Sequence, residues 1–348
     1  MTTGVTAEQP CLPPFTEEQQ RDLITTLLRD VSRSFYLTLR VLPSEIRPQI
    51  SLAYLLARAT DTIADTESAS RDERIALLRE MREGDVGATF LSRLSGMAES
   101  RQDCRSYGET ALLRRLADCY RALARFDDSD RQRIRELLRT ITGGQIFDLE
   151  RFPGKPLTDE ELDRYTYMVA GCVGEFWTKM CQAHLPELEG WKDGRMEEAG
   201  VRFGKGLQLV NILRDMPKDL RIGRCYLPVE KPERLLDPEN YESIRAEYTK
   251  WLDRAVEHLD AGWKYTLAVP ASLWRLRLAC IWPIWIGLRT IARLRVENPL
   301  DPARRVKISR GEVYTVMARS ALTCRSDSVL DRTYRSLRAA AKSDARMP

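Results

Sequence analysis

The sequence predicts one large all-α domain, and three observations lead to this fold class. Apolar residues recur with a helical period through most of the 348 residues, and no stretch shows the sustained alternation of a β-strand. Neither a fixed-period repeat nor a low-complexity segment is found. No linker rich in Pro, Gly or Ser divides the middle of the chain, so a single domain is preferred to two.

In chain order, the predicted elements begin with a flexible arm at residues 1–15, which contains three prolines. Breaks between helices coincide with Pro43, the glycines at 84 and 87, the Asp-rich cap at 127–130, and Asp301-Pro302. The main helical domain is predicted to span 16–325, and a basic C-terminal helix and tail to span 326–348. The predicted helices are 16–42, 46–65, 72–83, 107–125, 129–149, 159–184, 194–219, 239–268, 271–297, 309–324 and 328–343.

Composition excludes several classes of function. The chain has 55 Lys and Arg against 51 Asp and Glu, so its near balance of charge gives no reason to expect nucleic acid as a partner. Its two histidines, His184 and His258, argue against a multi-histidine metal centre and a His-based triad. The eight cysteines form no C-x-x-C pair and are interpreted as free thiols in a reducing compartment.

No segment is predicted to enter or cross a membrane. The N-terminus lacks the basic and apolar regions of a secretory signal. The longest uncharged apolar run, Leu278–Leu288, contains a proline and is shorter than the ~20 residues that span a bilayer. A cytoplasmic location is therefore expected. Gly204-Lys205-Gly206 lacks a third glycine and follows no strand, so it is interpreted as a site of close helix packing, and a P-loop is absent.

The segment 203–220 carries the first of two polar stripes on an otherwise apolar helix. At about 100° per residue, Gln208, Asn211, Asp215 and Asp219 fall within an arc of roughly 80°. Apolar residues fill most of the remaining circumference, which predicts a buried helix. Because carboxylates are costly to bury in a dry core, the stripe must line a polar cavity, meet cations, or both.

A second stripe of the same kind lies in residues 53–65. Tyr54, Arg58, Asp61 and Asp65 share an arc of roughly 60°, opposite an apolar face. Each helix thus presents two aspartates four residues apart, about 6 Å along its axis. Two such pairs facing each other could hold several Mg²⁺ ions, with waters and phosphate oxygens completing each octahedron. The alternative is a pair of solvated faces on which Arg58 neutralises Asp61.

The polar stripe at 53–65 resembles a motif of the squalene/phytoene synthase family, the head-to-head trans-isoprenyl diphosphate synthases. The resemblance runs from about Ser32 to Ala321. It begins with SRSF at Ser32–Phe35, and Y-x3-R-x2-D-x3-D at 54–65 is similar to the first aspartate-rich motif of the family.

Two further blocks follow in the family's order. YTYMVAGCVG at Tyr165–Gly174 resembles the signature Y-x-x-x-V-A-G-x-V-G, and Q-x2-N-x2-R-D-x3-D at 208–219 resembles the second aspartate-rich motif. GRCYLP at Gly223–Pro228 then follows, as in many bacterial members. Three separated motifs in the right order are a specific signal.

The resemblance implies an isoprenoid synthase fold, with helices around a central active-site cavity, and the head-to-head condensation of two farnesyl diphosphates in a catalytic domain at 16–325. Tyr54 and Tyr165 would line the reaction centre and, with the four aspartates, are the catalytic candidates. The implied Mg²⁺ ligands are Asp61, Asp65, Asn211, Asp215 and Asp219. The implied diphosphate-binding residues are Ser32, Arg33, Ser34, Phe35, Arg58, Gln208, Asn211 and Arg214.

The chemistry that the resemblance implies accounts for these residue types. Ionisation of an allylic diphosphate puts negative charge on the leaving group, which Mg²⁺ and Arg stabilise. The carbocation needs an apolar, aromatic wall that excludes water. A proton must be lost after alkylation, and either the departed diphosphate or Tyr165 could accept it.

The sequence departs from the family pattern at three positions. Ala64 and Lys218 stand where many relatives carry another acid, so weaker metal binding is expected. Pro217 lies inside the second motif and predicts a kink or a helix end there. The Asp219 side chain would then point in a different direction from its counterpart in the family.

Two C-terminal segments resemble squalene synthases, which reduce the cyclopropyl intermediate with NADPH. These are LRLACIWPIW at Leu276–Trp285 and VKISRGEVYTVM at Val306–Met317. Lys307 and Arg310 match basic residues that contact the NADPH phosphate, whereas Ser309 replaces an Arg. Squalene is therefore the expected product, and a basic loop without a ligand is the alternative interpretation of these residues.

Three alternatives stay open. The first is a phytoene or dehydrosqualene synthase, which omits the reduction. The second is a terpene cyclase, and the third is a non-catalytic helical binding protein. The tryptophan-rich region Trp263–Trp285 could be core, the wall of a prenyl tunnel, or a patch in peripheral contact with a membrane. The prenyl chain length and the oligomeric state are not predicted.

Overall fold

The computed structural model describes residues 15–32, 35–100, 107–301 and 306–343. These residues form sixteen α-helices and contain no strand, which confirms the all-α prediction. The first nine helices are α1 (Glu17–Asp22), α2 (Leu28–Ser32), α3 (Phe35–Val41), α4 (Arg47–Ala64), α5 (Arg71–Glu83), α6 (Ala88–Ser100), α7 (Tyr107–Arg114), α8 (Leu116–Leu123) and α9 (Asp128–Arg151). The others are α10 (Asp159–Thr166), α11 (Cys172–His184), α12 (Arg195–Arg221), α13 (Arg245–Ala268), α14 (Trp274–Val296), α15 (Arg310–Thr323) and α16 (Asp327–Lys342).

Most predicted helices are confirmed to within a few residues, but α6 was missed. Its apolar residues Phe90, Leu94, Met97 and Ala98 are buried, and this spacing is helical. The paired glycines at 84 and 87 suggested a longer break, whereas Gly84 only terminates α5 in a left-handed conformation. The predicted arm lies outside the described residues except for residue 15.

Side-chain caps fix several helix starts where the sequence placed them. Thr158 and Glu161 form a capping box at α10, and Ser309 and Glu312 form another at α15. Asp127 accepts a hydrogen bond from the amide of Asp130 at the start of α9. These caps satisfy amides that a helix cannot pair internally.

The buried apolar residues form two cores. The first core is formed mainly by α1–α9 and α11, and the second by α10 and α12–α16. Trp263, Trp282 and Trp285 are buried in the second core, which confirms the core interpretation for these three tryptophans. Of the helices that carry the polar residues described below, α4 belongs to the first core, whereas α9 and α12 bridge the two: Phe147 of α9 packs against the second core, and Phe203 of α12 packs against both.

Glycines allow α11 and the turn before it to approach α12 closely. A Cβ at Gly174 would lie 1.8 Å from the carbonyl oxygen of Gly200, and one at Gly204 would lie 2.1 Å from that of Ala170. Only glycine fits such contacts. The packing role predicted for Gly204 is therefore confirmed, and it fixes the signature segment 165–174 against the aspartate helix.

Helix α12 continues through Pro217 and ends at Arg221, so of the predicted kink or helix end at Pro217, the helix end is wrong. Proline removes the amide that would bond to the carbonyl four residues earlier, that of Leu213. The buried hydroxyl of Tyr248, on α13, donates to this carbonyl oxygen at 3.0 Å. A neighbouring side chain thus replaces the missing donor, and Asp219 remains on the helix.

Replacing Tyr248 with Phe should lower the free energy of unfolding by about 1–3 kcal/mol, because it leaves the Leu213 carbonyl buried without that donor. Urea unfolding would measure the loss. In a Pro217→Ala background, where residue 217 regains its amide, the same Tyr248 substitution should cost much less. Equal losses in both backgrounds would contradict the compensation.

The described cysteines are all buried and free, in agreement with the thiol interpretation. They are Cys119, Cys172, Cys181, Cys225, Cys280 and Cys324; Cys11 and Cys104 lie outside the described residues. Among the described residues, no helix has the length and apolar character needed to span a bilayer.

Candidate active site

The stripe at residues 54–65 lies on α4, with Asp65 at the C-cap of the helix, and is tied to two other helices. Arg58 is ion-paired with Glu109 of α7 and lies 3.8 Å from Asp61. Gln145 of α9 donates from Nε2 to Asp61 Oδ1 at 2.5 Å. Burial, opposed by the charge of Arg58, raises the pKa of Asp61 to about 6. Its side chain is nevertheless 48% accessible, so the carboxylate remains open to solvent.

The stripe at residues 208–219 lies on α12. Arg214 donates from Nε and Nη2 to the two carboxylate oxygens of Asp215, at 3.0 and 2.5 Å. Burial, reinforced by the negative charge of Asp215, raises the pKa of Asp219 to about 7. Gln208 is half-buried and Asn211 is exposed. The stripe therefore stays polar and accessible on a helix whose other faces are packed.

Asp148, on α9, links the two stripes electrostatically. The charge of Asp65 contributes to the raised pKa of Asp148, after burial as the main cause. Asp148 in turn contributes to the raised pKa of Asp219. One carboxylate from each stripe thus interacts with the same buried group, which places both stripes around one polar cluster.

Asp148 belongs to a set of residues that the sequence analysis did not assign. Arg224 Nε lies 3.2 Å from Asp148 Oδ2, and the Tyr226 hydroxyl donates to Oδ1 at 2.6 Å. Arg224 is held in place by its own amide, which donates to the carbonyl of Asp219 at 2.8 Å. Arg224 and Tyr226 lie in the GRCYLP block, which was recognised without a role. The signal for Asp148 was its position three residues after Gln145 in the mostly buried C-terminal half of α9.

Tyr165 packs into this cluster. Its ring stacks on that of Tyr226 with centroids 5.1 Å apart, and Phe147 lies 6.2 Å away. Burial, followed by the charge of Asp148, raises the pKa of Tyr165 well above 10. The phenol is therefore protonated at neutral pH and can donate a hydrogen bond, but it is a poor base.

A second pair of stacked aromatic rings lies beside Arg58. Phe35 stacks on Tyr54 with centroids 5.2 Å apart, and burial raises the pKa of Tyr54 to about 12. The hydroxyl of Ser32 donates to the carbonyl of Leu28 at 2.7 Å. Arg33 and Ser34, the other members of the block, lie outside the described residues.

Lys307 and Arg310 lie at the start of α15, and both are exposed. The Lys307 carbonyl accepts a hydrogen bond from Arg293, which also pairs with Glu312. Glu312 and Ser309 form the capping box of this helix, so the amides of Ser309 and Glu312 are already hydrogen-bonded. The charges of Lys307 and Arg310 are not among the main causes that raise the pKa values of Asp61, Asp148 and Asp219.

The chain resembles known proteins both in sequence and in fold. A family model described as squalene/phytoene synthase matches residues 28–312. The bifunctional lycopene cyclase/phytoene synthase of Blakeslea trispora is 33% identical over 210 residues, covering 58% of this chain and 31% of that protein. The presqualene diphosphate synthase of Rhodopseudomonas palustris is 32% identical over 197 residues, covering 57% of this chain and 58% of that protein. The chain spans 31–43% of the length of three such bifunctional relatives.

Solved structures match over nearly the whole chain. The squalene synthase TcSQS in complex with the ligand BPH1237 has a TM-score of 0.73 at 22% identity, covering 95% of this chain and 94% of that one. A dehydrosqualene synthase in complex with a ligand has a TM-score of 0.60 at 18% identity, covering 90% and 99%. These likenesses establish the all-α isoprenoid synthase fold.

Proposed function

Since the chain belongs to the squalene/phytoene synthase family, we propose that it condenses two farnesyl diphosphates head to head to presqualene diphosphate, with Mg²⁺, and reduces this intermediate with NADPH to squalene. The observation that carries the condensation is the pairing of two aspartate stripes, each with its own arginine, around a shared buried carboxylate. Burial is the main cause of the raised pKa values of Asp61 and Asp219, and the neighbouring positive charges only partly offset it.

The donor set fits Mg²⁺. Among the described residues, no three His, Cys, Asp or Glu side chains are close enough to hold one metal ion together. The carboxylates instead occur in pairs, and Mg²⁺ uses one or two carboxylates with waters and substrate oxygens. Asp61 and Asp65 would hold ions on one side, and Asp215 and Asp219, with Asn211, on the other. When bound, Mg²⁺ neutralises charge on the departing diphosphate.

Arg58 and Arg214 bind the diphosphate oxygens in this proposal. Each guanidinium is already held by a carboxylate, Arg58 by Glu109 and Arg214 by Asp215. These contacts keep the planar donor forks beside the aspartates, where a diphosphate would arrive. Charge on the leaving group is therefore met by groups that need little rearrangement.

Aromatic side chains serve the cationic half of the reaction. Tyr54 with Phe35, and Tyr165 with Tyr226, form stacked walls that exclude water and stabilise a carbocation. Because burial keeps Tyr165 protonated, the proton lost on ring closure goes to the departed diphosphate. Tyr165 instead donates a hydrogen bond within the cluster.

A second candidate stops before the reduction. The relatives in Rhodopseudomonas palustris and Zymomonas mobilis are both named presqualene diphosphate synthases, and other relatives are named phytoene synthases. In our first candidate NADPH supplies the hydride, and Lys307 and Arg310 hold its phosphate. The two candidates share the aspartate site and differ only in the use of the basic residues near α15.

One incubation separates these possibilities. The protein is mixed with farnesyl diphosphate and Mg²⁺, with and without NADPH, and the products are identified by mass. Presqualene diphosphate without NADPH and squalene with it would support the full proposal. Presqualene diphosphate or a conjugated triene in both samples would support the second candidate. A cyclic hydrocarbon from one substrate, or no release of diphosphate, would overturn the condensation itself.

The double variant Lys307→Ala/Arg310→Ala should accumulate presqualene diphosphate at NADPH levels that saturate the parent. Each lost charge-assisted contact costs about 1.5–3 kcal/mol of cofactor binding, whereas the aspartate site is untouched. Steady-state kinetics would show a raised KM for NADPH and an unchanged rate of condensation. If the parent makes squalene and the double variant has the same KM for NADPH, the cofactor-site assignment is wrong.

A further inference from the structure

Helix α15 has two apolar faces, of which the second core covers only one. On the inner face Val316 and Ser320 are buried, and Trp282 of α14 donates from Nε1 to Ser320 Oγ at 2.9 Å. On the outer face the side chains of Tyr314 and Leu322 are 62% and 88% exposed. Exposed apolar side chains of this size call for an explanation when they share a face.

Tyr314 and Leu322 do share a face. With the exposed Ala318 between them, they follow each other at intervals of four residues, which aligns them along one side of a helix. Arg319, which is exposed, lies three residues before Leu322 on the same helix, and the exposed Arg325 follows just after the end of α15. The outer face of α15 is therefore an apolar stripe bordered by cations.

Trp274, on α14, adds to this surface near the end of α15. It is half-buried, and the guanidinium groups of Arg275 and Arg325 lie over its ring at 5.0 and 5.9 Å from the centroid. Tryptophan and arginine together are typical of protein surfaces at the boundary between water and lipid headgroups.

The charge of this region is strongly positive. Residues 306–343 contain eight Lys and Arg against three Asp and Glu, whereas the whole chain has a net charge of only +4. Each of the three acids is ion-paired, Glu312 with Arg293, Asp327 with Arg277, and Asp331 with Arg335. The excess positive charge of the chain is thus concentrated on its last two described helices.

We infer that the outer face of α15, with Trp274, docks on an anionic lipid bilayer, the stripe entering the headgroup region and the arginines contacting lipid phosphates. An apolar helix face bordered by cations is the pattern of an interfacial helix. The same charge disfavours a second copy of the chain as the occupant, because a two-fold interface would bring two positive surfaces together. The docking does not depend on which product the enzyme makes.

The test is co-sedimentation of the full-length protein with vesicles of phosphatidylcholine alone or of equal parts phosphatidylcholine and phosphatidylglycerol. The parent should bind the anionic vesicles, more weakly as salt rises. Arg319→Glu/Arg325→Glu should reduce the partition coefficient by about tenfold or more, and Tyr314→Ser/Leu322→Ser should reduce binding at every salt concentration. Two matched controls should bind as the parent does. One is the charge reversal Arg79→Glu/Arg82→Glu on α5, and the other is Leu236→Ser, which replaces another exposed leucine.

Three results would overturn the inference. The first is a parent protein that anionic vesicles do not retain at low salt, and the second is binding of the α15 variants as strong as that of the controls. The third is a change of oligomeric state, measured by light scattering, in Tyr314→Ser/Leu322→Ser with unchanged vesicle binding, which would identify the face as a contact between copies. Circular dichroism of each variant shows that a loss of binding is not a loss of fold.

Discussion

Replacing Asp61 or Asp215 with Asn should each lower the rate of diphosphate release from farnesyl diphosphate by about 10²–10³, corresponding to roughly 3–4 kcal/mol of lost electrostatic stabilisation. Both carboxylates lie on accessible stripes and belong to neither apolar core. Asn keeps an oxygen that can accept the hydrogen bond from Gln145, so the contact to Asp61 need not be lost. The change therefore removes charge and a metal ligand, but little packing.

The control for these variants is Asp128→Asn. Asp128 is 89% exposed at the start of α9, and its substitution should leave turnover unchanged. Thermal unfolding of all three variants should stay close to that of the parent, because the side chains of Asp61, Asp215 and Asp128 are 48%, 39% and 89% exposed. Near-parental turnover of either site variant at saturating Mg²⁺ would refute the role assigned to the stripes.

The sequence was sufficient for the parts of this site that depend on one helix. Carboxylates spaced four residues apart stand out on α4 and α12 because the rest of each circumference is apolar. Asp148 does not stand out in the same way, because α9 also carries many exposed charges along its length. Its importance comes from Arg224 and Tyr226, more than seventy residues away in sequence, and periodicity within one helix holds no information about such contacts.

Pro217 illustrates the same limit for the backbone. Local chemistry predicts that a helix should end or bend at a proline. The donor that compensates for the missing amide belongs to Tyr248, on another helix. A prediction from local sequence must therefore fail wherever a buried side chain from elsewhere satisfies the orphaned group.

The Asp148–Arg224 pair carries the second large expected effect. Arg224→Met should lower the free energy of unfolding by about 3–5 kcal/mol, because it leaves a buried carboxylate without its counter-ion. Only 8% of the Asp148 side chain and 22% of the Arg224 side chain are exposed. Hydrogen bonds from Tyr226 and Tyr165 remain, but they cannot replace the charge. Urea unfolding with an unchanged m-value would report the loss.

The pH dependence of this loss separates the charge from the packing. Burial raises the pKa of Asp148, and the charge of Arg224 opposes that shift, so removing Arg224 should raise the pKa further. An aspartate whose pKa is higher in the folded state costs stability as the pH rises above its unfolded value of about 3.9. The difference between parent and Arg224→Met should therefore be small near pH 4 and widen toward pH 8.

A second substitution completes the argument. Asn at position 148 keeps an acceptor for the Tyr226 hydroxyl but carries no charge. Arg224→Met/Asp148→Asn should therefore recover most of the stability lost in Arg224→Met and lose most of its pH dependence. If the double variant is as unstable as Arg224→Met at pH 8, the loss comes from the packing of the arginine side chain and not from an unpaired charge.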